Sequence, residues 1–155
     1  MTPIQTNWQL ITDQVMGGVS SGTVIEKTID GQNAHLMTGR VSLDNNGGFI
    51  QMATDISPPP IHAIGIAMML KGNGETYNIH LRTTDLTRPW QSYRHTFTAP
   101  EQWTLCHFAF TNFEAHRTTA ALRLSGIRRI GIVAIGRVFN ADVSVGEVSY
   151  YNAQP

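Results

Sequence analysis

Tyr77-Asn78-Ile79-His80-Leu81-Arg82 alternates apolar and polar side chains without a break. Successive side chains of a strand point to opposite faces, so Tyr77, Ile79 and Leu81 share one side and Asn78, His80 and Arg82 the other. The run Trp90-Gln91-Ser92-Tyr93-Arg94-His95-Thr96-Phe97 repeats the pattern, with Tyr93, His95 and Phe97 facing a core and Ser92 and Arg94 facing away. Outward from these two segments, alternation rich in β-branched and aromatic residues predicts strands over 8–11, 20–28, 34–43, 49–54, 63–71, 76–84, 92–98, 104–109, 129–135 and 143–150. Turn chemistry separates them: Asp30-Gly31, Asn45-Asn46-Gly47-Gly48, Ser57-Pro58-Pro59-Pro60, Gly72-Asn73-Gly74 and Ala99-Pro100-Glu101. No long amphipathic helix competes; one helical turn is expected near 124–128. So many strands do not fit one flat sheet, and the prediction is an all-β jelly-roll sandwich of two antiparallel sheets, a single domain over 1–155. The three consecutive prolines cannot donate to a ladder and are expected to form a rigid crossover between the sheets.

Composition narrows the function. With 155 residues the chain can bury a sizeable core without staples. Eleven basic residues balance eleven acidic ones, so no overall field exists to hold a nucleic-acid backbone or an anionic membrane. Cys106 is the only cysteine, which excludes an internal disulfide, and it sits in an apolar-rich run as a small core or sheet residue. The start, Met1-Thr2-Pro3-Ile4, has neither a basic cluster nor an apolar run, and the longest apolar stretch is too short to span a bilayer. The expectation is a cytoplasmic protein without targeting segment or membrane insertion.

Two glycine pairs stand out. Asp13-Gln14-Val15-Met16-Gly17-Gly18-Val19-Ser20-Ser21-Gly22 and Leu43-Asp44-Asn45-Asn46-Gly47-Gly48-Phe49 each place Gly-Gly among small polar residues, a mark of tight backbone and close approach. Both are expected beside one surface, with Asp13, Gln14 and Met16 from the first and Asn45 and Asn46 from the second closing an end of it. For Asn45 and Asn46 turn-making is the stronger reading, since Asn caps its own backbone in tight turns.

Taken in order, Trp8 with Asp13–Ser20, then 39–49, Leu70-Lys71-Gly72-Asn73-Gly74-Glu75-Thr76-Tyr77, Trp103 with Phe108, Phe110 and Phe113, and Ile127-Arg128-Arg129-Ile130-Gly131 resemble the complex I intermediate-associated protein family. The family takes its name from a mitochondrial assembly factor of respiratory complex I and includes stand-alone bacterial members, the type this chain fits. The resemblance implies a galactose-binding-like jelly roll, the fold of many carbohydrate-binding modules, and an assembly or chaperone-like binding role.

The candidate ligand-binding residues are Asp13, Met16, Gly17, Gly18, Asn78, His80, Arg82, Trp90 and Arg94. Guanidinium donors beside an indole platform suit a polar ligand such as a neutral glycan. The same face also reads as an ordinary solvated sheet with cross-strand polar pairs. No catalytic set is assigned: Ser92, His80 and Asp85 lack a nucleophile elbow, and the glutamates lie in separate segments. His35, His62, His80, His95, His107 and His116 never occur at metal-ligand spacing, so no metal or cofactor is expected. Arg123, Arg128, Arg129 and Arg137 form the only basic concentration, read as loop and strand-edge decoration. The resulting expectation is a non-enzymatic binding module. Its partner is a protein, in the family reading a respiratory complex subunit, or alternatively a small polar ligand or glycan, and not nucleic acid.

Overall fold

The computed structural model describes residues 1–152, the Asn46 side chain excepted. Twelve strands follow one another as β1 (Thr2–Pro3), β2 (Gln9–Thr12), β3 (Ser21–Ile29), β4 (Gln32–Val41), β5 (Phe49–Asp55), β6 (Ala63–Gly72), β7 (Thr76–Thr83), β8 (Ser92–Thr98), β9 (Thr104–Ala109), β10 (Glu114–His116), β11 (Ile127–Ile135) and β12 (Phe139–Asn152). They form two six-stranded antiparallel sheets. The first runs β3-β4-β12-β6-β9, with β1 added on β12, and the second runs β10-β8-β7-β11-β5-β2. This is the jelly-roll sandwich that alternation predicted.

One core fills the space between the sheets. Tyr77, Ile79 and Leu81 of β7 and Ile130, Ile132 and Ala134 of β11 meet Ile66, Met68 and Leu70 of β6 and Val143 and Val145 of β12. Each of the Val, Leu, Ile and Met side chains among them stabilises the fold by about 1.5–3 kcal/mol on removal from water, before entropy is counted. His95 joins the inner face, packing edge-on against Phe108 and Phe113.

The turns behave as their chemistry requires. Asp30 and Gly31 both adopt positive φ in the β3–β4 hairpin. The segment holding Pro58, Pro59 and Pro60 carries the chain from β5 in the second sheet to β6 in the first.

Several boundaries differ from the sequence prediction. A helical turn does form at Leu124–Gly126, but the strand begins at Ile127, two residues earlier than alternation indicated. β12 is longer than predicted, reaching Phe139 and Asn152, because 139–142 pair with β4 and 151–152 with β6, and a register shift between Val145 and Val148 interrupts its pairing with β6. β1 and β10 are too short for alternation to register. Ile64 is exposed, since β6 has an outer face of its own. Cys106 lies half-buried on β9, and burial pushes its thiol up, away from the reactive thiolate.

Candidate functional site

The two glycine elbows meet across one side chain. Asp13 opens a short 3-10 turn, Asp13–Met16, that ends at Gly17 with φ of 88°, a left-handed conformation natural to glycine. The Asp13 carboxylate is buried, 0% exposed. It accepts from the Ser20 amide at 2.9 Å and the Ser20 hydroxyl at 2.5 Å, and across the gap from the Gly48 amide at 2.6 Å and the Phe49 amide at 3.3 Å. Burial alone would push this carboxyl up, but the bonds from Ser20, Gly48 and Phe49 together outweigh it and hold the group below the ordinary carboxylate value. Glycine is required for closeness here. A Cβ on Gly18 would sit 2.4 Å from the Asp13 Cγ, and one on Gly47 would sit 2.4 Å from its Oδ2. The second loop bends through Asn45 at φ of 57°, the turn-making role expected of it.

Clasping the elbows pushes apolar side chains outward. Val15 is 76% exposed, Met16 61% and Leu43 47%. They stand at one side of a cavity of about 650 Å³ on the outward face of the second sheet. The floor comes from successive strands: His116 of β10, Ser92 and Arg94 of β8, His80 and Arg82 of β7, Gly131, Val133 and Ile135 of β11, and Phe49 and Gln51 of β5. Trp90, 58% exposed, stands on the segment preceding β8.

Register explains the convergence. Arg94 pairs with His80, and His80 with Gly131, so a polar row ends at a residue without a side chain. The Gln51 amide oxygen lies 2.4 Å from where a Gly131 Cβ would be. Arg82 donates through Nη1 to the carbonyls of Arg88 at 3.0 Å, Pro89 at 3.1 Å and Gln91 at 2.6 Å, and so fixes the loop that carries Trp90. Arg94 donates through Nε to the Ser92 hydroxyl at 3.0 Å. His80 Nε2 is buried and has no hydrogen-bond partner. Burial, with the Arg94 and His116 charges adding to it, drives the His80 pKa down to about 3, so its imidazole is neutral at pH 7.

Of the residues singled out from sequence, Met16, His80, Arg82, Trp90 and Arg94 share this cavity. Asp13 does not reach it, because both carboxylate oxygens are spent inside the fold. Gly17 and Gly18 shape the elbow without lining the cavity. Asn78 lies outside as well, accepting a hydrogen bond from the Thr96 hydroxyl at 2.8 Å. Sequence reading overlooked His116, Gln51, Val133 and Ile135. The last two were accessible, since alternation over 129–135 puts Arg129, Gly131, Val133 and Ile135 on one face. His116 was not, because a three-residue strand carries no periodic signal.

The imagined set of Ser92, His80 and Asp85 is not assembled as a triad. Arg123 clamps the Asp85 carboxylate at 2.9 and 3.0 Å, and the Ser92 hydroxyl is taken by Arg94. The basic concentration is largely paired: Arg123 with Asp85, Arg129 with Asp55 and Arg137 with Glu75. Among the described residues no group of three or more His, Cys, Asp or Glu side chains could hold a metal ion, and no helix is long and apolar enough to cross a membrane.

The strand order defines a jelly roll with a cavity on the open face of one sheet. Solved structures share the fold. The family 11 carbohydrate-binding module from Clostridium thermocellum, in complex with a β-1,3-1,4-mixed-linked tetrasaccharide, superimposes with a TM-score of 0.78 at 11% identity, covering 99% of this chain and 98% of that one. The same family's module from a cellulosomal cellulase of Clostridium thermocellum gives 0.77 at 11% identity over 99% and 96%. A family 30 carbohydrate-binding module gives 0.60 at 9% identity over 97% and 93%. At such identities the likeness is one of fold. No curated protein matches the chain. The sequence pattern of the Complex I intermediate-associated protein 30 (CIA30) family matches residues 3–146, and the chain belongs to that family.

Proposed function

We propose that this chain is a non-enzymatic binding module that works as an assembly factor or chaperone. It docks a protein partner on the outward face of its second sheet, and in the family reading that partner belongs to respiratory complex I (NADH:ubiquinone oxidoreductase) and is met from the cytoplasm. The observation that carries the binding role is the cavity of about 650 Å³, floored by a preformed polar row and bordered by exposed Val15, Met16, Leu43 and Trp90. Exposed apolar groups around such a hollow gain free energy when a partner covers them. The complex I assignment comes from the family, as an analogy of function. It is tested in the cell that makes the protein, by purifying the tagged chain and by resolving complex I intermediates on native gels after deletion of its gene. Enrichment of complex I subunits and a build-up of partial complexes are expected. Intact complex I with none of its subunits retained would count heavily against the assignment.

A second reading is a carbohydrate-binding module, favoured by one observation, the exposed Trp90 ring beside the cavity. An indole face of that kind stacks on a sugar ring. A glycan array with no signal above background removes it.

A further inference from the structure

The free polar groups of the cavity are the Arg94 guanidinium, the imidazoles of His80 and His116 and the Gln51 amide, with no anion among the described residues. Gln91 is spent, its oxygen taken by the amides of Thr87 and Arg88 and its nitrogen donated to the Arg117 carbonyl. The Ser92 hydroxyl is occupied by Arg94. Among the described residues the Nη groups of Arg94 make no bond, and Gln51 is a neutral amide left free. Among the described residues no aspartate or glutamate lines the hollow, although the chain as a whole is balanced in charge. Glu114 is the register partner of Arg94 on β10, yet it lies outside the lining and forms no ion pair with it. Arg129 has Asp55, but among the described residues Arg82 and Arg94 have no acid within ion-pair distance. Burial lowers the pKa of Arg94, Arg82 and His116 alike, and neighbouring cations push each further in the same direction.

Such a surface asks for an acceptor with negative charge. A neutral sugar could donate to His80 or Gln51, but it would leave the unpaired charge of Arg94 uncompensated. A carboxylate accepts only, and a guanidinium edge matches its two oxygens. The apolar border then requires that the carboxylate arrive on an apolar body.

We infer that the cavity recognises a carboxylate carried on an apolar segment of the protein partner, seated on the free edge of Arg94 while the segment covers Val15, Met16, Leu43 and Trp90. This rests on the protein-partner reading above. The carboxylate is that of an acidic side chain or of a chain terminus, and both are chemically suited to Arg94.

The test uses the whole chain and N-acetylated nine-residue peptides of alternating valine and serine. Three end in an amide and carry a central glutamate, glutamine or lysine. A fourth carries glutamine and a free terminal carboxylate. Binding is followed by nitrogen-proton NMR of the Arg94 Nε and Trp90 indole signals. Tri-galacturonate and the mixed-linked tetrasaccharide serve as sugar probes. The glutamate peptide, the free-terminus peptide, or both are expected to shift these signals at least tenfold more tightly than the glutamine amide, and which of them does so names the source. Arg94→Gln should abolish the preference and Arg94→Lys restore part of it, with folding verified from the unchanged amide spectrum. Arg123→Gln, a cation paired elsewhere, should retain it. Equal binding of the glutamate and glutamine amides overturns the carboxylate inference and leaves the protein-partner reading standing. Sugar binding without peptide binding overturns that reading itself. No response to any carboxylate probe overturns the inference.

Discussion

Asp13 and Arg94 are both charged side chains drawn out of bulk water, and the fold treats them in opposite ways. Around Asp13 four hydrogen bonds converge from both glycine elbows, so the carboxylate is consumed as structure. Around Arg94 only Nε is engaged, and its neighbour His80 keeps a buried nitrogen without a partner. A buried polar group left unmatched costs stability unless something outside the chain completes it. The difference therefore separates a charge that builds the molecule from charges that await a ligand, although sequence reading placed both in one list of binding residues.

The most damaging way to probe the contrast is to remove its closed side. Asp13→Ala strands the Ser20, Gly48 and Phe49 amides and should destabilise the protein by about 3–5 kcal/mol, measured by urea unfolding. Should the loss stay below about 1 kcal/mol, the elbows are not held by this carboxylate. Next comes Gly47→Ala, whose new methyl group would press on Asp13 and on the Gly18 Cα, at a cost of about 2–3 kcal/mol. An unchanged melting temperature would mean that the loops have room the structure does not show.

Acid sharpens the comparison, because the two centres respond in different windows. His80 has a folded pKa of about 3 against an ordinary 6.5, so its contribution is intact above pH 6.5 and is lost as pH falls toward 3. Asp13 is also lowered, from an ordinary 3.8, so its contribution fades only below that value. Between pH 7 and 4.5 the wild type should lose about 2 kcal/mol through His80, and His80→Gln should flatten that slope while keeping the steeper loss below pH 4. A variant with the same slope would locate the acid sensitivity elsewhere. The smallest effect belongs to the open side: Arg94→Gln should change unfolding stability by no more than ~0.5 kcal/mol, because its guanidinium holds little of the fold together. A loss comparable with that of Asp13→Ala would erase the distinction.

Much of the architecture was legible because strands leave a periodic trace. Alternation in β7 and β8 placed His80, Arg82 and Arg94 on the outer face, and all three line the cavity. The glycine pairs signalled close approach correctly, and the elbows do lie beside one surface. Their object was hidden, because an aspartate that binds its own backbone and one that binds a ligand look alike in sequence. Arg82 shows the same ambiguity, serving mainly to tie down the loop that presents Trp90. Which strands become neighbours is set by tertiary pairing, so the approach of β5 and β11 to the β7–β8 row, and with it the place of Gln51 in the cavity, lay beyond a linear reading.

The placement of β12 has a consequence for how the molecule is made. It lies between β4 and β6 and carries β1, yet it follows every one of them along the chain. While the ribosome is still delivering it, those partners wait with bare ladder edges, open to pairing with strangers. The first sheet therefore zips shut only when a fourteen-residue strand threads into its middle, a late and long-range step that makes nascent copies depend on dilution or guardianship until it is done.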